Sequence, residues 1–205
     1  MTAPIEQYFL LMDPDWRPAP DAEVPEIDAV VGLWPLGPDG GVGAFQGNPA
    51  YRPRNADSAA DPLDALFRMA GRGTALADQI QLVLRDARFE VALNGDGRPL
   101  IVRSPDDVPC VVIATSAPQR ERASAPQWRR IDLTELVSLL PDRVDVLFNP
   151  AGPMPFRLLG DFIRETLMMG DDEVAEAYEA VRAAMPAERQ LEIVPWAVGA
   201  EPGRS

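Results

Sequence analysis

The chain has 205 residues, 46% of them hydrophobic, and a net charge of −13 from 32 acidic and 19 basic side chains. That is apolar material enough for one core, which excludes wholesale disorder, and the negative field disfavours nucleic acid and anionic membrane surfaces as partners. Histidine is absent and every basic residue is arginine, which excludes Ser-His and Cys-His nucleophile pairs, lysine Schiff bases and a P-loop lysine, and removes the commonest metal ligand.

In chain order, "YFLLMD" (8–13) reads as a first strand, followed by a Pro- and acid-rich connection. "AVVGLWPL" (29–36) and "GVGAFQ" (41–46) flank Gly37-Pro38-Asp39-Gly40 and predict a hairpin. Asp61-Pro62 supplies an N-cap and a proline at the first helical position. The helix that follows carries Leu63, Leu66, Phe67 and Ala70 on one face and closes at Gly71 and Gly73. Thr74 is expected to cap a second helix bearing Leu76, Ile80, Val83 and Leu84. "FEVAL" and "PLIVR" surround Asn94-Gly95-Asp96-Gly97, a second hairpin, and "CVVIAT" (110–115) has the continuous apolar character of a central strand.

"SAPQRERASAPQ" reads as a polar connection, "WRRID" (128–132) as a strand and "LTELVSLL" (133–140) as an amphipathic helix. "RVDVLFN" reads as a strand, 157–169 as a helix and "DDEVAEAYEAVRAAM" as an acidic-fronted helix. "LEIVPWAV" (191–198) is expected to add an edge strand. Elements in this order predict an α+β single domain with a mixed β-sheet, two hairpins and packed helices. The 22 prolines, about twice ordinary usage, imply stiff connections. No apolar run is long enough for a membrane span and the N-terminus lacks a signal-like basic region, so the expected location is cytoplasmic.

Chemistry has few carriers here. Cys110 falls in a buried-looking strand, where a thiol behaves as a small hydrophobe. Among the carboxylates, most flank turns or helix starts, and Asp145 stands apart within a strand that feeds "NPAGP" (149–153). In that loop Asn149 is expected to bond the backbone two residues on, and Gly152 to permit a positive φ in a tight strand-to-helix turn. Two prolines remove donors, so it is no phosphate cradle. "NPAYRP" (48–53) is a second stiffened turn with an aromatic at its tip. A protein-binding surface is expected near these turns, with Trp34, Asn48, Tyr51, Arg52, Asn149, Gly152 and Arg157 as its candidates. No catalytic residue, metal or cofactor is assigned. A small-ligand sensor, or an enzyme using Asp145 with a second acid, is the alternative.

Taken together, "AVVGLWPLGPDGGVGAFQGNPAYRP", "DPLDALFRMA", "DDVPCVVIATSAP" and "LLPDRVDVLFNPAGPMPFRLL" resemble the actinobacterial type VII secretion system-associated proteins with an SseB-type N-terminal domain. Ala151, between Pro150 and Gly152, departs from the family's usual Asn-Pro-Gly. The resemblance covers residues 8–169 and leaves 170–205 as a C-terminal helix and tail extension. It implies a non-enzymatic cytosolic accessory, an adaptor or chaperone-like protein, whose partner is a secretion component or its cargo. The chain lacks the W-x-G turn and the Y-x-x-x-[DE] signal of such cargo. Self-association through the 171–185 helix and the Trp196 tail is a further expectation.

Overall fold

The computed structural model describes residues 7–17, 25–37 and 41–184. It contains two β-sheets packed with helices, in the α+β arrangement that the element pattern predicts. Strands β1 (Gln7–Met12), β2 (Val30–Leu36) and β3 (Gln46–Gly47) form a three-stranded antiparallel sheet. The turn expected at 38–40 lies outside the described residues, but its flanks meet: Leu36 bridges Val42, and the Gly37 N–H donates to Gly41 O.

The larger sheet contains β4 (Phe89–Leu93), β5 (Ile101–Arg103), β6 (Pro109–Ala114), β7 (Gln127–Ile131), β8 (Asp145–Phe148) and β9 (Phe156–Leu158). Its order is β7-β4-β6-β8-β9, with β5 also paired to β6. β6 and β8 run parallel, Cys110 opposite Asp145 and Ile113 opposite Phe148, while every other pair is antiparallel. All residues from Cys110 to Ala114 are buried, as an apolar central strand requires.

Helix α1 (Pro62–Gly71) starts where the sequence places it. The Asp61 side chain accepts from the Asp64 N–H at 3.0 Å, and Pro62 occupies a first-turn position that needs no donor. Thr74, however, closes α1 rather than opening the next helix: its N–H and its hydroxyl both donate to Met69 O. α2 (Ala77–Asp86) begins instead at Leu76, whose N–H is taken by the Gln79 side chain at 2.9 Å.

Two other expectations give way. The polar connection after β6 contains a short helix, α3 (Ala117–Arg122), and the 157–169 segment opens as strand β9 before becoming α5 (Gly160–Met168). α4 (Leu133–Leu139) carries a capping box, Asp132 accepting from the Glu135 N–H and Glu135 from the Asp132 N–H. α6 (Asp171–Ala184) completes the described chain. The strand expected at 191–198, with Trp196, lies outside it.

One core joins the two sheets through α1. Phe67 stacks on Phe156 at 4.7 Å between centroids and tilts against Phe148 at 5.0 Å. Trp34 of β2 and Phe148 of β8 belong to the same buried cluster. Each such large side chain contributes about 1.5–3 kcal/mol by leaving water. Among the described residues no helix is long and apolar enough to cross a membrane.

Candidate functional site

The carboxyl ends of the parallel strands β6 and β8 meet the N-terminus of α1, and three strand- and helix-end residues interlock there. Asn149, just past β8, is fully buried. Its Oδ1 accepts from the Thr115 N–H at 3.0 Å, which fixes the amide orientation, and its Nδ2 then donates to the Thr115 hydroxyl at 2.9 Å. That hydroxyl donates onward to Asp61 Oδ2 at 2.6 Å. Burial pushes the Asp61 carboxyl above the ordinary carboxylate range, against the opposing pull of the Thr115 hydroxyl.

A second group lies beside it. Asp64 is 0% exposed and accepts from the Ala60 N–H at 2.9 Å, from Gln119 Nε2 at 3.0 Å and from Arg68, its i+4 neighbour, at 3.3 Å. Arg68 also donates to Asp57 O and Ser58 O, tying the 55–60 loop to the helix. The buried Gln119 Oε1 has no hydrogen-bond partner.

The "NPAGP" turn owes its shape to different residues from those expected. Asn149 itself takes the positive φ, +50°, and its side chain reaches Thr115 rather than its own loop. The Gly152 N–H closes the turn onto Asn149 O at 2.9 Å, and the turn leads into strand β9 rather than directly into a helix. Glycine is needed at 152 for space: a Cβ there would lie 2.4 Å from Gln119 Oε1 and 3.2 Å from Asn149 O.

The "NPAYRP" turn is likewise pinned from within. Asn48 Nδ2 donates to Ile27 O and to Val30 O, both at 2.7 Å, and its Oδ1 accepts from the Ala50 N–H. Tyr51 is buried, not presented at a tip, and its hydroxyl donates to Ala59 O at 2.7 Å. Desolvation, with the nearby Asp13 carboxylate, raises its phenol well above the ordinary range. Trp34 is 0% exposed and packs edge-on against Phe45, so it is a core residue and offers no partner surface. Arg52 is exposed and folds its guanidinium back onto Pro49 O and Tyr51 O. The two turns thus connect through buried groups: Tyr51 holds Ala59, and Gly152 abuts Gln119, which holds Asp64.

Asp145 and Arg157 form a separate cluster. Arg157 donates to Asp145 at 2.5 Å and to Asp106 at 2.7 Å, and the Gly160 N–H donates to Asp145 Oδ1 at 2.9 Å. Two carboxylates therefore face one guanidinium, which raises the Arg157 pKa, while the Ser104 hydroxyl, with Arg157, holds Asp106 below its ordinary value. Cys110, opposite Asp145 in the sheet, is fully buried and its thiol is pushed up by desolvation. It is a packed hydrophobe.

A surface cleft of about 290 Å³ lies elsewhere, between the end of α2, the start of α4 and the end of α5. In it Arg88 is paired with Asp132, and Arg85 is turned to the Thr166 and Met169 carbonyls. None of the seven residues expected from the sequence lines it. Among the described residues, no group of three or more Cys, Asp or Glu side chains is arranged to hold a metal ion.

The residues that sequence reasoning missed are Asp64, Arg68, Thr115 and Gln119. Asp64 and Arg68 carry a readable signal, their i, i+4 spacing; Thr115 and Gln119 carry none. Compared with known proteins, the chain matches no family model, no curated protein and no solved structure.

Proposed function

We propose that this chain is a non-enzymatic cytosolic adaptor or chaperone-like accessory, and that type VII secretion, the setting its resemblance implies, is where it acts. The observation that supports the first part is the commitment of its acid groups. Asp145 is bound by Arg157 and Gly160, Asp64 by four donors, and Asp61 by a backbone N–H and the Thr115 hydroxyl. A general acid or base must be directed at substrate, and these three carboxylates are directed at the chain's own donors. What the turns offer outward is rigid backbone framed by proline, with Arg52 at the surface, a geometry suited to protein contact.

The experiment is titration of the purified full chain with secretion components and with paired helical-hairpin cargo, by calorimetry. Saturable binding to one of them is expected, and Arg52→Glu should weaken it at least about tenfold, or ~1.4 kcal/mol. Failure of every such protein to bind would remove the secretion setting. Binding that ignores Arg52→Glu would move the surface away from the 48–53 turn.

A further inference from the structure

Helices α5 and α6 are separated by only Met169 and Gly170. Neither residue nor the Asp171 that follows is a proline, so nothing covalent forces the chain to stop being helical. At the break Met169 leaves helical geometry, with φ −54° and ψ 121°, and other bonds replace the missing helical ones. Arg85 of α2 donates to Thr166 O at 3.0 Å and to Met169 O at 3.1 Å. In an uninterrupted helix those carbonyls would accept from residues 170 and 173. The Gly170 N–H is instead taken by the Glu173 side chain at 2.9 Å, and Gly170 O accepts the first bond of α6 from the Val174 N–H. Arg85 and Glu173 thus latch the chain in its bent form.

What the bend achieves is the seating of α6 on α2. The contact is a satellite of the main core: Leu82, Ala177 and Val181 are its buried members, with Met169, Val174 and Tyr178 at its margin. Straightening at Met169 would fuse α5 and α6 into one helix over 160–184, about 37 Å long, and carry that apolar face away from its own α2. Exposed, the face is unfavourable. It is covered again, by identical contacts, when the helix from a second copy takes the vacated seat. A short connection between two helices is the arrangement in which such exchange is easiest.

We infer that the outer face of α2 is a self-association surface whose occupant is α6 of a second copy, and that the Arg85 latch sets the balance between bent monomer and exchanged dimer. The inference stands apart from the adaptor reading, since it concerns contact between copies of this chain.

The test places cysteines at Leu82 and Val181 of the full chain. Cys110 is buried and does not compete. Oxidation of the bent monomer links the pair within one chain, whereas exchange links them between chains and gives a covalent dimer on a non-reducing gel. Adding Gly170→Ala, whose Cβ would meet only Glu173 Oε2 at 4.0 Å, removes the flexible residue without a clash. Adding Arg85→Ala removes the latch. Either change should raise the interchain fraction roughly fivefold at equal total concentration, and that fraction should increase with protein concentration. Purely intrachain links in all variants overturn the proposal. So does a covalent dimer formed equally well by Leu82→Cys alone, which would mark random collision. Gly170→Ala keeps the test decisive if Arg85→Ala fails to fold.

Discussion

Asp64 and Asp106 are each bound by an arginine, yet the two pairs sit in opposite surroundings. The Asp64–Arg68 side chains are 0% and 8% exposed, and further donors from Ala60 and Gln119 complete the carboxylate. The Asp106–Arg157 side chains are 56% and 30% exposed, and Arg157 has a second carboxylate, Asp145, in reserve. A buried pair leaves an uncompensated charge when one member is removed, and a solvated one hands its partner to water. The first pair is therefore a structural clasp for the 55–60 loop, and the second is a surface bridge between β8, β9 and the 104–107 turn.

The largest effect that would break this comparison is at Asp64. Asp64→Ala strands Arg68 and Gln119 in a dry environment and should destabilise the fold by about 3–5 kcal/mol, read as a lower urea midpoint. The double change Asp64→Leu/Arg68→Met should recover much of the loss, because neither charge is then left alone. A single-mutant midpoint equal to wild type would overturn the clasp.

Next comes Asp61, whose carboxyl is raised by burial. A folded pKa above the unfolded one means that the native state holds the proton longer. Stability from this group is complete below the unfolded carboxylate range and is lost as pH rises through the folded value. Asp61→Asn keeps an oxygen for the Asp64 N–H and cannot ionise. Its stability relative to wild type should climb as pH is raised from about 4, measured by urea melts across that range. A difference that is flat in pH would show that Asp61 is not raised.

The smallest effect is at Asp106. Its depressed carboxyl has the opposite sign, adding stability above the unfolded range that disappears as pH falls. With so much solvent around it, Asp106→Ala should leave the urea midpoint at pH 7 unchanged within error. A clear loss would make the surface bridge comparable with the clasp and erase the contrast.

Much of the scaffold was legible because its signals are local. Asp61-Pro62 starts α1, Asn94–Gly97 makes the expected turn, although β5 beyond it pairs with β6 and not with β4, and the run from Cys110 makes the central strand. α3 was hidden because a six-residue helix in a polar, Pro-flanked stretch has no apolar stripe to display. β9 was hidden because Phe156–Leu158 is too short for either period to show and is a strand only through pairing with β8. Thr74 looked like a cap for the helix after it, yet Met69 O was in reach of both its donors.

The candidate site was less legible still. Trp34 lies in an apolar strand run, which by itself favours the core, whereas Tyr51 has the residue type of an interface anchor at a turn and only the fold reveals that it is enclosed. The polar clusters join Asp61 to Thr115 and Asp64 to Gln119, partners more than fifty residues apart (54 and 55), and no spacing rule relates positions so distant.

The Asn149–Thr115 clasp also bears on the order in which the molecule assembles. Its two members are 34 residues apart and meet only once β8 has found β6, after α3, β7 and α4 have been threaded between them. Contacts of such long reach close late, when most of the loop entropy has already been surrendered. A clasp that closes late scarcely governs how fast the chain folds. It governs how long the native molecule lasts, because loosening Asn149 would act mainly on the rate at which the finished structure comes apart.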